Sequence, residues 1–241
     1  MGSGRSVDAQ ARPPPSLTKY GRVAAGRAAV YRRKVGDSIA VPVAALASWR
    51  NDGMTAKKLT VPKTIVLVGL MGAGKSCVGR RLAAAIGLPF VDADKEIEEA
   101  AGCSIPDLFS RYGEVAFRDG ERRVIHRLLE GPLHVLATGG GAFIDPGTRA
   151  EIRARGISVW LRADLDLLIR RTARRNNRPL LNVSDPQAKL AELMAQRYPI
   201  YAEADITIDS DDSPPEATVD RVIAALQERF ADEAEPQGSA A

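Results

Sequence analysis

The chain has 241 residues, enough for one α/β domain with a full core and some length to spare. Its hydrophobic content of 45% is ordinary for a soluble globular protein. No apolar run approaches the ~18 residues that a membrane span needs, so no membrane partner is expected. The formal charge of +4 is unevenly placed: residues 1–60 carry 11 Lys+Arg against 3 Asp+Glu, and the rest of the chain is mildly acidic. A basic segment ahead of an acidic body argues against nucleic acid as the partner of that body. Cys77 and Cys103 are too few and too widely spaced for a zinc site or a disulfide framework. They read as reduced thiols, which fits a cytoplasmic protein.

Residues 1–60 contain Pro13-Pro14-Pro15 and the cluster Arg32-Arg33-Lys34, with poor hydrophobic periodicity. They read as a basic, disordered N-terminal extension. Three origins stand open: a dispensable or mis-assigned stretch with Met54 as the start, a targeting segment, and a functional basic arm.

From Val61 onward, strands alternate with helices. TIVLVGL (Thr64 to Leu70) is a β-branched apolar run of the kind a buried parallel strand needs. CVGRRLAAAIG has helical spacing and ends at Gly87, a plausible C′ residue. LPFVDAD, from Leu88 to Asp94, reads as a second strand ending in acid. Residues 95–130 read as charged amphipathic helices broken near Gly102 and Gly113. LHVLATGGG reads as a strand followed by a glycine turn. A strand at Ile157 to Ala163, a helix at Leu165 to Ala173, a strand at Ala204 to Ser210 and a helix at Thr218 to Phe230 follow. The expected architecture is a three-layer α/β fold, with a central parallel sheet flanked by helices and ligands at the carboxyl ends of the strands.

GLMGAGKS, from Gly69 to Ser76, satisfies G-x-x-x-x-G-K-[ST] between a predicted strand and a predicted helix. The glycines bring backbone N–H groups close to one anion, and the helix N-terminus adds its positive end. Lys75 supplies a compact cation for the β- and γ-phosphates, and the Ser76 hydroxyl suits Mg²⁺. Phosphate binding alone leaves a small-molecule kinase, a GTPase-like switch and a remodelling ATPase open.

Asp92 and Asp94 close the second strand. At i and i+2 of an extended chain they point the same way. One can serve Mg²⁺ through water while the other takes a hydroxyl proton; the competing role for Asp94 is to cap the next helix. Thr138-Gly139-Gly140-Gly141 suits close approach of a small ligand to the main chain, or an ordinary turn. Arg118, Arg178 and Arg197 can grip a carboxylate or phosphate in two-pronged fashion, although each taken singly fits a solvated surface arginine.

These motifs, GLMGAGKS, VDAD, GE…FR…E, TGGG, RPLL and RYPIY, resemble shikimate kinase in order and separation, over Val61 to Phe230. The resemblance implies a nucleoside-monophosphate-kinase-like fold with a mobile lid at about residues 173–188. It implies transfer of the ATP γ-phosphate to the 3-hydroxyl of shikimate, on the way to chorismate and the aromatic amino acids. Gly72, Ala73, Gly74, Lys75, Ser76 and Cys77 would hold the ATP phosphates, and Ser76 with Asp92 would hold Mg²⁺. Asp94 would bind the reacting hydroxyl and act as its base, with Lys75 and Arg178 as the other catalytic groups. Arg118 and Arg197 would grip the shikimate carboxylate, Gly140 would offer a backbone N–H, and Glu121 would orient Arg118. Ile105 and Phe109 would wall the acceptor pocket. Arg171 and Pro215 would enclose adenine. Family members are usually monomers. Cys77 departs from the hydroxyl residue that many members carry there, and the lid is rich in Arg and Asn. A kinase of another hydroxy acid, such as gluconate, and a non-catalytic nucleotide sensor are the competing readings. No N-K-x-D guanine motif supports a switch GTPase.

Overall fold

The computed structural model describes Leu59, residues 61–173 and residues 185–234. The chain divides between Met54 and Thr55, and all described residues belong to the second unit. Apart from Leu59, the expected basic extension lies outside the described residues, as do positions 174–184 of the expected lid and positions 235–241 of the tail.

Five strands form one parallel sheet: β1 (Thr64–Val68), β2 (Phe90–Asp92), β3 (Val135–Ala137), β4 (Gly156–Arg162) and β5 (Ile206–Asp209), in the order β2-β3-β1-β4-β5. β1 lies at the centre, pairing Ile65 with Val135 on one side and with Ile157 on the other. All five β1 residues are buried, as a strand covered on both faces requires. The sheet is flanked by α1 (Lys75–Ile86), α2 (Ala93–Ala101), α3 (Ile105–Leu129), α4 (Pro146–Arg155), α5 (Leu165–Thr172), α6 (Pro186–Tyr201) and α7 (Pro215–Ala234).

Local chemistry sets the helix ends. Ser104, Asp145, Asp164 and Asp185 cap α3, α4, α5 and α6 by accepting backbone N–H bonds with their side chains. Three of those helices carry proline in the first turn, where its missing N–H costs nothing. Gly87 ends α1 in the left-handed region and donates its N–H to Ala83, as its position suggested. Gly102 ends α2 in the same way, and Gly113 interrupts α3 with φ 77° and ψ 174°.

The second strand is shorter than expected. It stops at Asp92, and the helix begins at Ala93. Asp92 and Asp94 are therefore not i and i+2 of one extended chain; Asp94 stands in the first turn of α2. The buried Ala93 and the run DKEIEEAA, acidic at its start, favour helix here. α1 starts at Lys75, two residues earlier than expected. α4 and α6 carry no sequence expectation at all.

The loop after β1 has little freedom. Gly69 has φ 134°, and a β-carbon there would lie 2.7 Å from the backbone oxygen of Leu161 in β4. Backbone cannot move aside as a side chain can. Gly69→Ala is expected to destabilise the fold by roughly 2 kcal/mol or more, and to weaken nucleotide binding with it. Urea melts and ADP titration measure both, and wild-type values for both would overturn the claim.

Candidate active site

The site is built where β1, β2 and β3 end. After β1, Gly69, Gly72 and Gly74 all hold positive φ, which lets the loop turn back over the start of α1. A β-carbon on Gly72 would meet the Thr172 methyl at 3.0 Å and Leu168 at 3.3 Å, so α5 braces the loop from outside. Lys75 Nζ donates to the carbonyls of Gly69 (2.7 Å) and Leu70 (3.0 Å). Those bonds fold its cation back over the cradle. The Ser76 hydroxyl donates to Asp92 Oδ2 at 2.8 Å. A hydroxyl and a carboxylate in contact form a hard-oxygen pair that fits Mg²⁺.

Opposite the loop, charged groups pack around the three glycines. A β-carbon on Gly139 would come within 2.7 Å of Glu121 Oε1 and 2.9 Å of Asp94 Oδ1. One on Gly141 would come within 2.4 Å of Arg118 Nη1. These glycines make room for side chains. None of the three has positive φ. Asp94, Glu121 and Arg118, from α2 and α3, are thus gathered against one short segment.

Arg118 Nη1 donates to Glu121 Oε2 at 2.7 Å, and its Nη2 donates to Glu114 at 3.2 Å. Glu121 is 3% exposed, and its Oε1 has no hydrogen-bond partner among the described residues. Burial pushes its carboxyl up, against the pull of the Arg118 guanidinium. Arg197, also buried, donates from Nη1 to the Gly140 carbonyl at 3.0 Å, and the Tyr201 hydroxyl donates to the same oxygen. The carbonyl of Gly140 is therefore committed to α6. Ile105, Phe109 and Phe117 supply the apolar wall, with the two phenylalanine rings 4.5 Å apart.

On the other side of the phosphate loop, Arg171 reaches the β5–α7 turn. Its Nη1 donates to Ser210 Oγ at 3.0 Å, and its Nη2 to the Asp211 carbonyl at 2.5 Å. Ser210 was not among the expected site residues; its short polar side chain gives no signal in the sequence. Arg221 and Ser213 bonding pull the exposed Asp211 carboxyl down to about 2. Pro215 opens α7 at the same rim. Cys77 Sγ accepts from Arg81 Nη1 at 3.0 Å, and Arg81 in turn pairs with Glu216 of α7. Arg178 lies outside the described residues.

One cavity of about 1060 Å³ runs past the phosphate loop, Asp94, Arg118, Gly140, Arg197 and Pro215. All the described site residues except Ala73 line it. A phosphate cradle facing two arginines and a carboxylate across one space defines a P-loop kinase of a small anionic acceptor.

The family model for shikimate kinase matches residues 71–227. A shikimate kinase of Paramagnetospirillum magneticum is 65% identical over 69% of this chain and 85% of its own length. One of Caulobacter vibrioides is 57% identical over 70% and 84%. The structure of the Acinetobacter baumannii shikimate kinase in complex with shikimate shares 41% identity and a TM-score of 0.67, covering 72% of this chain and 96% of that one. The chain belongs to the shikimate kinase family. A gluconokinase from Sinorhizobium meliloti, at 19% identity and a TM-score of 0.50, shares the fold alone.

Tyr201 offers a check on this packing. Burial pushes its phenol up to about 12, whereas an unfolded tyrosine ionises at about 10. The folded state keeps the proton longer, so stability falls as pH rises from 10 towards 12. Tyr201→Phe removes that loss along with one hydrogen bond. The variant is expected to be less stable by ~1 kcal/mol at neutral pH, and to recover about 1.4 kcal/mol per pH unit above 10 relative to wild type. Denaturant melts of both proteins across the alkaline range measure it. A gap independent of pH would contradict the burial.

Proposed function

We infer that the chain transfers the γ-phosphate of ATP to the 3-hydroxyl of shikimate, giving 3-phosphoshikimate and ADP, with Asp94 holding the hydroxyl and taking its proton. The observation that carries the assignment of roles is the placement of Asp94 beside Gly139, on the same cavity as Arg118, Arg197 and the phosphate loop. A dihydroxylated or trihydroxylated carboxylic acid needs cations at one end and a carboxylate near one hydroxyl. This wall offers both.

Each residue has a defined task. Backbone N–H groups of residues 72–77 and the Lys75 ammonium bind the phosphates. Ser76 and Asp92 would hold Mg²⁺, which when bound neutralises phosphate charge. Arg118 and Arg197 hold the acceptor carboxylate, Glu121 fixes the direction of Arg118, and the Gly140 N–H takes an acceptor oxygen. Arg197 and Tyr201 already occupy the Gly140 carbonyl, which orients that peptide. Arg171 and Pro215 flank adenine. Arg178 neutralises the transferring phosphoryl. Phosphoryl transfer asks little covalent chemistry of a protein; alignment and charge neutralisation carry it.

We also place the kinase domain in residues 61–230, working as a cytoplasmic monomer on small molecules, with no nucleic acid or membrane partner. Among the described residues no helix is long and apolar enough to cross a membrane. Gel filtration of the full chain tests the monomer.

Asp94→Asn is expected to lower kcat by ~10²- to 10⁴-fold with ATP affinity retained. Arg118→Ala and Arg197→Ala are expected to raise the KM for shikimate by at least ~30-fold, since each removes one partner of a charged, part-buried contact. ADP release with and without shikimate reads all three. An Asp94→Asn enzyme of wild-type kcat would remove Asp94 from the base role, and absence of shikimate-dependent turnover in wild type would remove the substrate.

A further inference from the structure

Ser210 ties together three segments that the sequence keeps far apart. It follows β5 directly, and its N–H donates to the Arg162 carbonyl at 2.6 Å, extending the ladder with β4 by one bond. Its side chain is buried, and the hydroxyl donates to the Ala73 carbonyl at 3.1 Å. It accepts from Arg171 Nη1 at 3.0 Å, and the same nitrogen lies 3.5 Å from the Gly72 carbonyl. A guanidinium only donates, so the serine proton is left for Ala73. The phosphate loop, α5 and the β5–α7 turn meet at one oxygen.

That turn is itself anchored from outside. Asp209 pairs with Arg162 at 2.6 Å, Asp212 with Arg170 at 2.5 Å, and Asp211 with both terminal nitrogens of Arg221 at 3.1 Å. Ser210 is the inward link of a turn whose aspartates are all held by arginines.

We propose that Ser210 is a positioning residue for ATP, setting the direction of the peptide between Ala73 and Gly74. The described chain has no cis peptide. In a planar trans peptide the carbonyl and the following N–H point opposite ways. Fixing the Ala73 oxygen against Ser210 therefore turns the Gly74 N–H away from that contact, and Gly74 lines the cavity. Gly74 has φ 96°, and its lack of a side chain leaves this peptide little local restraint of its own. The hydroxyl supplies the restraint before nucleotide arrives. The proposal rests on the assignment of residues 69–76 to the triphosphate.

The test is calorimetric titration of ADP and of Mg·ATP without shikimate, alongside steady-state kinetics. Ser210→Ala is expected to weaken both nucleotides by about 5- to 20-fold, with kcat and the KM for shikimate within about two-fold of wild type. Ser210→Thr keeps the hydroxyl and should restore most of the affinity. Ser210→Cys keeps the volume with a weak donor and carries the test if the alanine variant does not fold. Wild-type nucleotide affinity in Ser210→Ala and Ser210→Cys would overturn the proposal. So would equal losses for nucleotide and shikimate, which mean general loosening, or a threonine variant as weak as alanine, which means packing. Lys75→Met separates the two levels: if it abolishes nucleotide binding while Ser210→Ala leaves nucleotide affinity at the wild-type value, the positioning role alone fails. If it leaves nucleotide binding intact, the triphosphate assignment fails and the proposal with it.

Discussion

The burial of β1 is the constraint from which the site follows. Ile65, Val66, Leu67 and Val68 have no exposed surface, and the strand is paired on both edges. A strand so held cannot shift register without moving every side chain to the wrong face. Its carboxyl end is therefore a fixed point, and the neighbouring strands seize it there. Thr138 bonds the Leu67 carbonyl through both its N–H and its hydroxyl, at 3.2 and 3.0 Å. Gly69 then passes beneath the Leu161 oxygen. The phosphate loop is irregular backbone, but it inherits its position from the most buried part of the molecule. Preorganised N–H groups bind an anion without first spending free energy on ordering themselves.

The acceptor side uses the opposite device. There the backbone is unexceptional and the side chains are crowded. Asp94, Glu121 and Arg118 come from two helices and converge on Gly139 and Gly141, where a β-carbon would collide with Glu121 and Asp94 at the first and with Arg118 at the second. Like charges on Asp94 and Glu121 raise the Glu121 carboxyl, and burial raises it more. Arg118 at 2.7 Å pulls the other way without cancelling the burial. Removing Arg118 would leave a buried carboxylate without its ion-pair partner, which costs more than the pair itself contributes. Gly139 and Gly141 are thus consequences of charge packing.

The phosphate half was legible from the sequence because its requirements are local. Turn, glycines, lysine, serine and helix lie within a dozen residues and leave a fixed pattern. The acceptor half was legible only as an ordered set of motifs, since its residues meet through tertiary packing. LPFVDAD reads as one strand ending in acid, yet the helix-forming run from Ala93 wins. α4 buries only Thr148 and Ile152 in a stretch rich in arginine, so its apolar period is weak. α6 contains Pro199, which reads as a helix breaker, and it closes with the tyrosine that holds Gly140. The Ser210 contact joins positions 39 and 137 residues apart, and nothing in either local sequence marks it.

Two anions must meet in this cavity, and their repulsion sets what the protein has to supply. The cations are not simply accumulated. Arg118 gives one face to Glu121, Arg197 gives one nitrogen to Gly140, and Lys75 holds two loop carbonyls. Each is oriented by a partner of its own. Phosphate reaching Lys75 would exchange the neutral loop carbonyls for charged acceptors, and the gain would be the difference between them. That difference grows as water is excluded, because charge interactions strengthen in a lower dielectric. The same exclusion would make any unpaired cation costly in a cavity shielded from water but empty of anions. Pairing Arg118, Arg197 and Lys75 in advance makes that state tolerable and leaves the largest gain for the moment when both anions are in place.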